Sequence, residues 1–95
     1  MAGYLVAHIQ VTDPQGFKAY GDAVPAVIER FGGRYHIRGG KADVKEGDWD
    51  VPRLVVIEFS SLARAQEFYD SPEYQKILPL RLKASTGSLA LVEGV

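Results

Sequence analysis

Leu54–Ile57, the run LVVI inside VPRLVVIEF (Val51–Phe59), places apolar side chains on both faces of any strand it forms. Side chains alternate between the two faces of a sheet, so such a strand needs cover above and below. It reads as a central strand with helices on one side and a second apolar layer on the other. A chain of 95 residues has little material for that second layer. Domains of this size bury only about 60–65% of the surface that their unfolded chains expose, yet 46% of the residues here are hydrophobic. The surplus points to a partner subunit stacked sheet on sheet.

The rest of the chain supplies the helices. Tyr4–Val11 reads as a strand with Leu5, Ala7, Ile9 and Val11 on one face. Thr12-Asp13-Pro14 is a helix start, Asp13 being a cap residue and Pro14 suited to the first helical position. A helix follows from Pro14 to about Phe31, its core stripe Phe17, Tyr20, Val24, Val27, Ile28 and Phe31. Pro25 lies inside it and predicts a mild kink, because Gly21, four residues back, adds no side-chain crowding. Gly32-Gly33 predicts a left-handed cap. A second strand is expected from Arg34 to about Lys45, a turn at Glu46–Trp49 and a third strand over Val51–Phe59. Ser60 or Ser61 caps a second helix to about Asp70. Ser71-Pro72 restarts helix, which Pro79 disturbs or ends, and Thr86–Val95 holds the last strand. The order β-α-β-β-α-β is the ferredoxin-like split βαβ pattern of one α+β domain over residues 1–95: a four-stranded antiparallel sheet with helices on one face.

Composition excludes several classes of function. Eleven basic and twelve acidic residues leave a net charge of −1, which provides no field for nucleic acid or anionic membrane. There is no cysteine, hence no disulfide, thiolate metal site or cysteine nucleophile. The opening MAGYLVAHIQV has neither a cationic segment nor a long apolar run; no signal peptide and no membrane span are expected, and the expected location is cytoplasmic. Neither Gly-Gly pair makes a nucleotide-binding fingerprint, and His8 and His36 have no metal-ligand spacing, so no cofactor and no metal are expected.

The chemistry concentrates around Glu58, a carboxylate in the apolar third strand. A hairpin centred on Asp48 sets Arg38 opposite Glu58, Gly40 opposite Val56 and Ile37 opposite Phe59, a register that joins opposite charges and like apolar groups. A bulge at Gly39-Gly40 would shift it by one residue. His8, on the neighbouring strand, is expected on the same face as this pair, with His36 and Glu93 as further candidates. Two readings stay open. In one, Arg38–Glu58 is a structural ion pair. In the other, these groups form the polar floor of a small-molecule pocket between sheet and helices. There His8 is the general base or proton shuttle, Glu58 orients His8 or Arg38, and Arg38 and Arg81 hold a carboxylate or enolate, with Tyr69 and Tyr74 closing the pocket from above. Trp49, in the turn, is read as a contact with the partner subunit.

The motifs VTDP (11–14), FGGRY (31–35), RGG (38–40), EGDW (46–49), VVIEFSSLARAQEFYDSPEYQ (55–75), LRLKAS (80–85) and LVEGV (91–95) resemble the family called domain of unknown function 1330, over essentially the whole chain. The resemblance implies a dimeric α+β barrel, in which two ferredoxin-like halves pack through their sheets. Its recurrent positions correspond here to Arg38, Gly39, Gly40, Trp49, Glu58, Tyr69, Tyr74 and Arg81. The wider superfamily includes cofactor-free monooxygenases, isomerases and haem enzymes, a likeness of fold that transfers no activity. The expected function is that of a homodimeric, cofactor-free enzyme or binder of a small carboxylate- or enol-bearing molecule. The rival is a non-catalytic dimeric module.

Overall fold

Gly3–Val11 (β1) buries every second residue, with Leu5, Ala7 and Ile9 each at most 5% exposed. Leu54–Phe59 (β3) does the same through Val55, Ile57 and Phe59. Both sets face the helices, as period-two patterning requires. The computed structural model describes residues 1–50 and 53–95. The remaining elements are α1 (Pro14–Arg30), β2 (Arg34–Arg38), α2 (Leu62–Asp70), α3 (Pro72–Ala84) and β4 (Ser85–Glu93). The antiparallel sheet runs β2-β3-β1-β4, so the two strands with the richest apolar faces lie at its centre. Val24 and Ile28 of α1, Ala65 and Phe68 of α2, and Tyr74 and Leu78 of α3 close the core over one face. The thinnest principal extent is 16 Å, the thickness of one helix layer on one sheet. No helix among the described residues is long and apolar enough to cross a membrane.

Local chemistry accounts for the helix ends. α1 passes through Pro25 unbroken. It closes in a Schellman motif: Gly32, at φ +75°, donates to the Glu29 carbonyl, and Gly33 donates to that of Ile28. Asp13 holds the N-cap position of α1 but its side chain makes no capping bond. Ser61, rather than Ser60, caps α2 by accepting from the Arg64 amide at 3.0 Å. Pro79 does not end α3, which continues to Ala84. Pro79 and Gln75 are both exposed, so the Gln75 carbonyl, which the proline ring leaves without its helical partner, can turn to water.

The second strand departs most from expectation. β2 stops at Arg38 instead of reaching Lys45, and residues 39–50 form no regular structure. Val51 and Pro52, the expected start of the third strand, lie outside the described residues. Arg34 pairs with Glu58 and Tyr35 with Ile57. A bulge at His36 then shifts the ladder, so that Ile37 pairs with Val56 and Arg38 with Val55. The Arg38–Glu58 register is therefore corrected. With a long connection in place of a tight turn, the loop cannot set the register, and the bulge sits at His36 rather than at Gly39-Gly40.

Candidate functional site

The bulge decides which side chains meet. In an uninterrupted strand Arg34, His36 and Arg38 would share a face. The extra residue at His36 inverts the alternation beyond it. Arg38, opposite Val55, turns to the helix side, while Arg34 and His36 stay with Glu58 on the open side. Arg53, just ahead of β3, shares the parity of Val55, Ile57 and Phe59 and enters the same helix-side cleft.

That cleft lies between the sheet and α1 and encloses a cavity of about 40 Å³, room for a few waters. Its walls are apolar. Its polar groups are Tyr20, Tyr35, Arg38, Arg53 and Arg81, and among the described residues no carboxylate lines it. Arg81 is 7% exposed, on the buried stripe of α3 with Tyr74 and Leu78. Its guanidinium lies 5.9 Å from the centre of the Tyr20 ring. Arg53 lies over Phe17 at 5.5 Å and Arg38 over Tyr35 at 4.7 Å. The Nε atoms of Arg53 and Arg81 are buried, with no hydrogen-bond partner among the described residues. The hydroxyls of Tyr20 and Tyr74 share a hydrogen bond of 2.9 Å. Burial, followed by the neighbouring Tyr74 phenol, holds the Tyr20 pKa far above the ordinary tyrosine range. Burial also raises that of Tyr35, against the pull of Arg38 and Arg53. Both phenols keep their protons at neutral pH and serve as hydrogen-bond donors.

The residues expected at one site thus divide between two faces. Arg38 and Arg81 line the cleft, and Tyr74 reaches it through Tyr20. Tyr69 packs its ring against Tyr74 at 5.4 Å and does not line the cleft. His8 and Glu58 lie on the open face. His8 pairs with Leu54 and Ser88 and borders a shallow groove of about 180 Å³ with Val6 and Trp49. Glu58 accepts from Arg34 at 3.3 Å and bonds His36 Nε2 at 2.5 Å. These contacts, with the His36 hydrogen bond first, lower its pKa against the opposing effect of desolvation. One pocket shared by His8, Glu58, Arg38 and Arg81 is thus ruled out by the sheet between them. Sequence reasoning passed over Tyr20, Tyr35 and Arg53 as site residues. Arg53 carried a usable signal, its two-residue spacing from Val55 and Ile57; Tyr20 looked like one more member of a core stripe. Among the described residues no three metal-ligating side chains come together.

The fold recurs in solved structures of low sequence identity. RPA0582, a protein of unknown function from Rhodopseudomonas palustris, is 18% identical, with a TM-score of 0.75 over 99% of this chain and 82% of that one. SnoaB, a cofactor-independent oxygenase from Streptomyces nogalater, is 15% identical, with a TM-score of 0.64 over 99% and 93%. Rv0793 from Mycobacterium tuberculosis is 18% identical, with a TM-score of 0.58 over 100% and 96%. At these identities the likeness is one of fold, the ferredoxin-like α+β architecture. No curated protein matches the chain. A family model, however, spans residues 2–95, and by that match the chain belongs to the Domain of unknown function (DUF1330) family.

Proposed function

We propose that the protein binds a small organic acid or enol in the cleft between sheet and helices, through a carboxylate or enolate oxygen. The observation that carries this reading is the pair of buried Nε atoms of Arg53 and Arg81, which among the described residues have no hydrogen-bond partner and no carboxylate in the lining around them. A buried N–H left without an acceptor costs about 1–3 kcal/mol. An incoming carboxylate supplies the missing acceptor in the planar geometry that a guanidinium favours. Tyr20 and Tyr35, both protonated, donate to the same anion. The fold shared with SnoaB supports an extension to cofactor-free catalysis, in which the guanidinium offsets the charge of a bound enolate. The base for such a step does not come from His8, which the sheet separates from the cleft.

The proposed working unit is a homodimer, with two open sheet faces stacked. In support, the chain exposes 6089 Å², against about 5,400 Å² expected for a monomer of its mass. The open face also presents Val6, Ile37, Val56 and Val92, with Trp49, 58% exposed, at its edge.

A second reading, a dimeric packing module without a ligand, is favoured by the small cavity of about 40 Å³. A thermal-shift screen of small carboxylic acids and phenolic enols separates the two. The binding reading expects melting to rise with acid concentration, and the rise to disappear in Arg81→Met. A melting temperature indifferent to every acid and enol at millimolar concentration supports the packing module instead.

A further inference from the structure

The arginines of the cleft divide by depth and by origin. Arg81 comes from α3, is 7% exposed, and stands with the Tyr20 and Tyr74 phenols. Arg38 and Arg53 come from the end of β2 and the approach to β3; Arg38 is exposed and Arg53 half-buried, so they occupy the mouth. Between floor and mouth the walls are aliphatic and aromatic, among them Ile9, Val24, Val55 and Ile57. None of the three arginines is in a salt bridge among the described residues. A single carboxylate on Arg81 would leave the guanidinium pair at the mouth without a counter-charge, including the buried Nε of Arg53. One at the mouth would leave the Arg81 Nε orphaned in the interior.

We infer that the ligand is a dianion: two acidic groups joined by a short, thin apolar spacer, one group held by Arg81 at the floor and the other by Arg38 and Arg53 at the mouth. The inference rests on the anion-binding reading above and narrows its substrate class to dicarboxylates and equivalent doubly acidic molecules. The small cavity suits a thin aliphatic spacer between the two acidic groups. A guanidinium–carboxylate contact at each end makes the two contributions separable by mutation.

Titration calorimetry on the full chain at low ionic strength provides the test, with glutarate and adipate set against pentanoate and hexanoate. The dicarboxylates are expected to bind at least about ten-fold more tightly than the monocarboxylates of equal carbon number. The double variant Arg38→Met/Arg53→Met should erase that preference, bringing dicarboxylate affinity down to that of the monocarboxylates. Arg81→Met should weaken both classes. If Arg81→Met loses its melting transition, the mouth variant, at one exposed and one half-buried position, decides alone. Equal affinity for the two classes in the unaltered chain, or a preference that survives the mouth variant, overturns the dianion and leaves the anion cleft standing. No binding of either class overturns both.

Discussion

A Cβ placed on Gly39 would stand 2.6 Å from Nη1 of Arg53, and the backbone there has φ +68°. Gly39 lets the Arg53 side chain lie against the chain on its way into the cleft, and its amide donates to the Leu54 carbonyl at 2.8 Å. Gly39→Ala should therefore do two things. It should destabilise the fold by about 1–2 kcal/mol through left-handed strain, read as a lower urea midpoint. It should also displace Arg53 and weaken carboxylate binding. A variant with wild-type binding would mean that Arg53 does not need this passage. Glu58 makes a second prediction at the same scale. Its folded pKa is lowered by His36 and Arg34, so its stabilising contribution is complete above the ordinary glutamate value of about 4.3 and is lost as pH falls through the lowered folded value. Urea midpoints at pH 7 and pH 3 should converge between the native chain and Glu58→Gln, with the native chain the more stable only at the higher pH. A constant gap between the two would show that the ion contacts contribute nothing that titrates.

Helices α2 and α3 meet at one residue. Ser71 is the C-cap of α2 and the N-cap of α3. Its hydroxyl donates to the Phe68 carbonyl at 2.7 Å and accepts from the Tyr74 amide at 3.1 Å, all of it buried. Removing it orphans the buried Tyr74 amide, leaves the Phe68 carbonyl only the Ser71 amide as donor, and loosens the turn that seats Tyr74. Ser71→Ala should cost about 2 kcal/mol, at the upper end for a cap. Asp13 holds a similar position ahead of α1 without a capping bond, and Asp13→Ala should cost under about 0.5 kcal/mol. Denaturant titrations of the two variants check the contrast, and equal losses would contradict it. The bulge at His36 acts at this scale too: one inserted residue sends Arg38 to the cleft and leaves His36 beside Glu58.

At the scale of the molecule, one layer of helices covers one face of a sheet whose centre is apolar on both. A second copy of the chain is the proposed cover for the open face. Val56 stands near the centre of that face, between Val6 and Ile37. Val56→Arg would set an unpaired charge in a sheet-on-sheet interface, a cost of several kcal/mol and thus a loss of at least about a hundred-fold in association. Light scattering at micromolar concentration should give twice the chain mass of 10.4 kDa for the native protein and the single mass for the variant. A native protein that scatters as a monomer would remove the dimer. The cleft opens on the opposite side of the sheet, so the variant should still bind carboxylate if each subunit holds a complete site.

Local patterns were enough for much of this architecture. Alternation in β1 and β3, the proline starts of α1 and α3 and the glycine end of α1 all depend on neighbours within a few residues, and each was legible in the chain. So was the strand order, because an apolar run on both faces belongs at a sheet's centre. Arg81 and Arg38 could be named from the sequence, but their company could not. Whether Arg38 faces Glu58 or the cleft that Arg81 lines turns on a single bulged residue, since a shift of one position carries every later side chain to the other face of the sheet. No tight turn constrained that position. Only the competition between strand pairings in three dimensions decided it, and with it the separation of an anion-accepting cleft from the open face that carries His8 and Glu58.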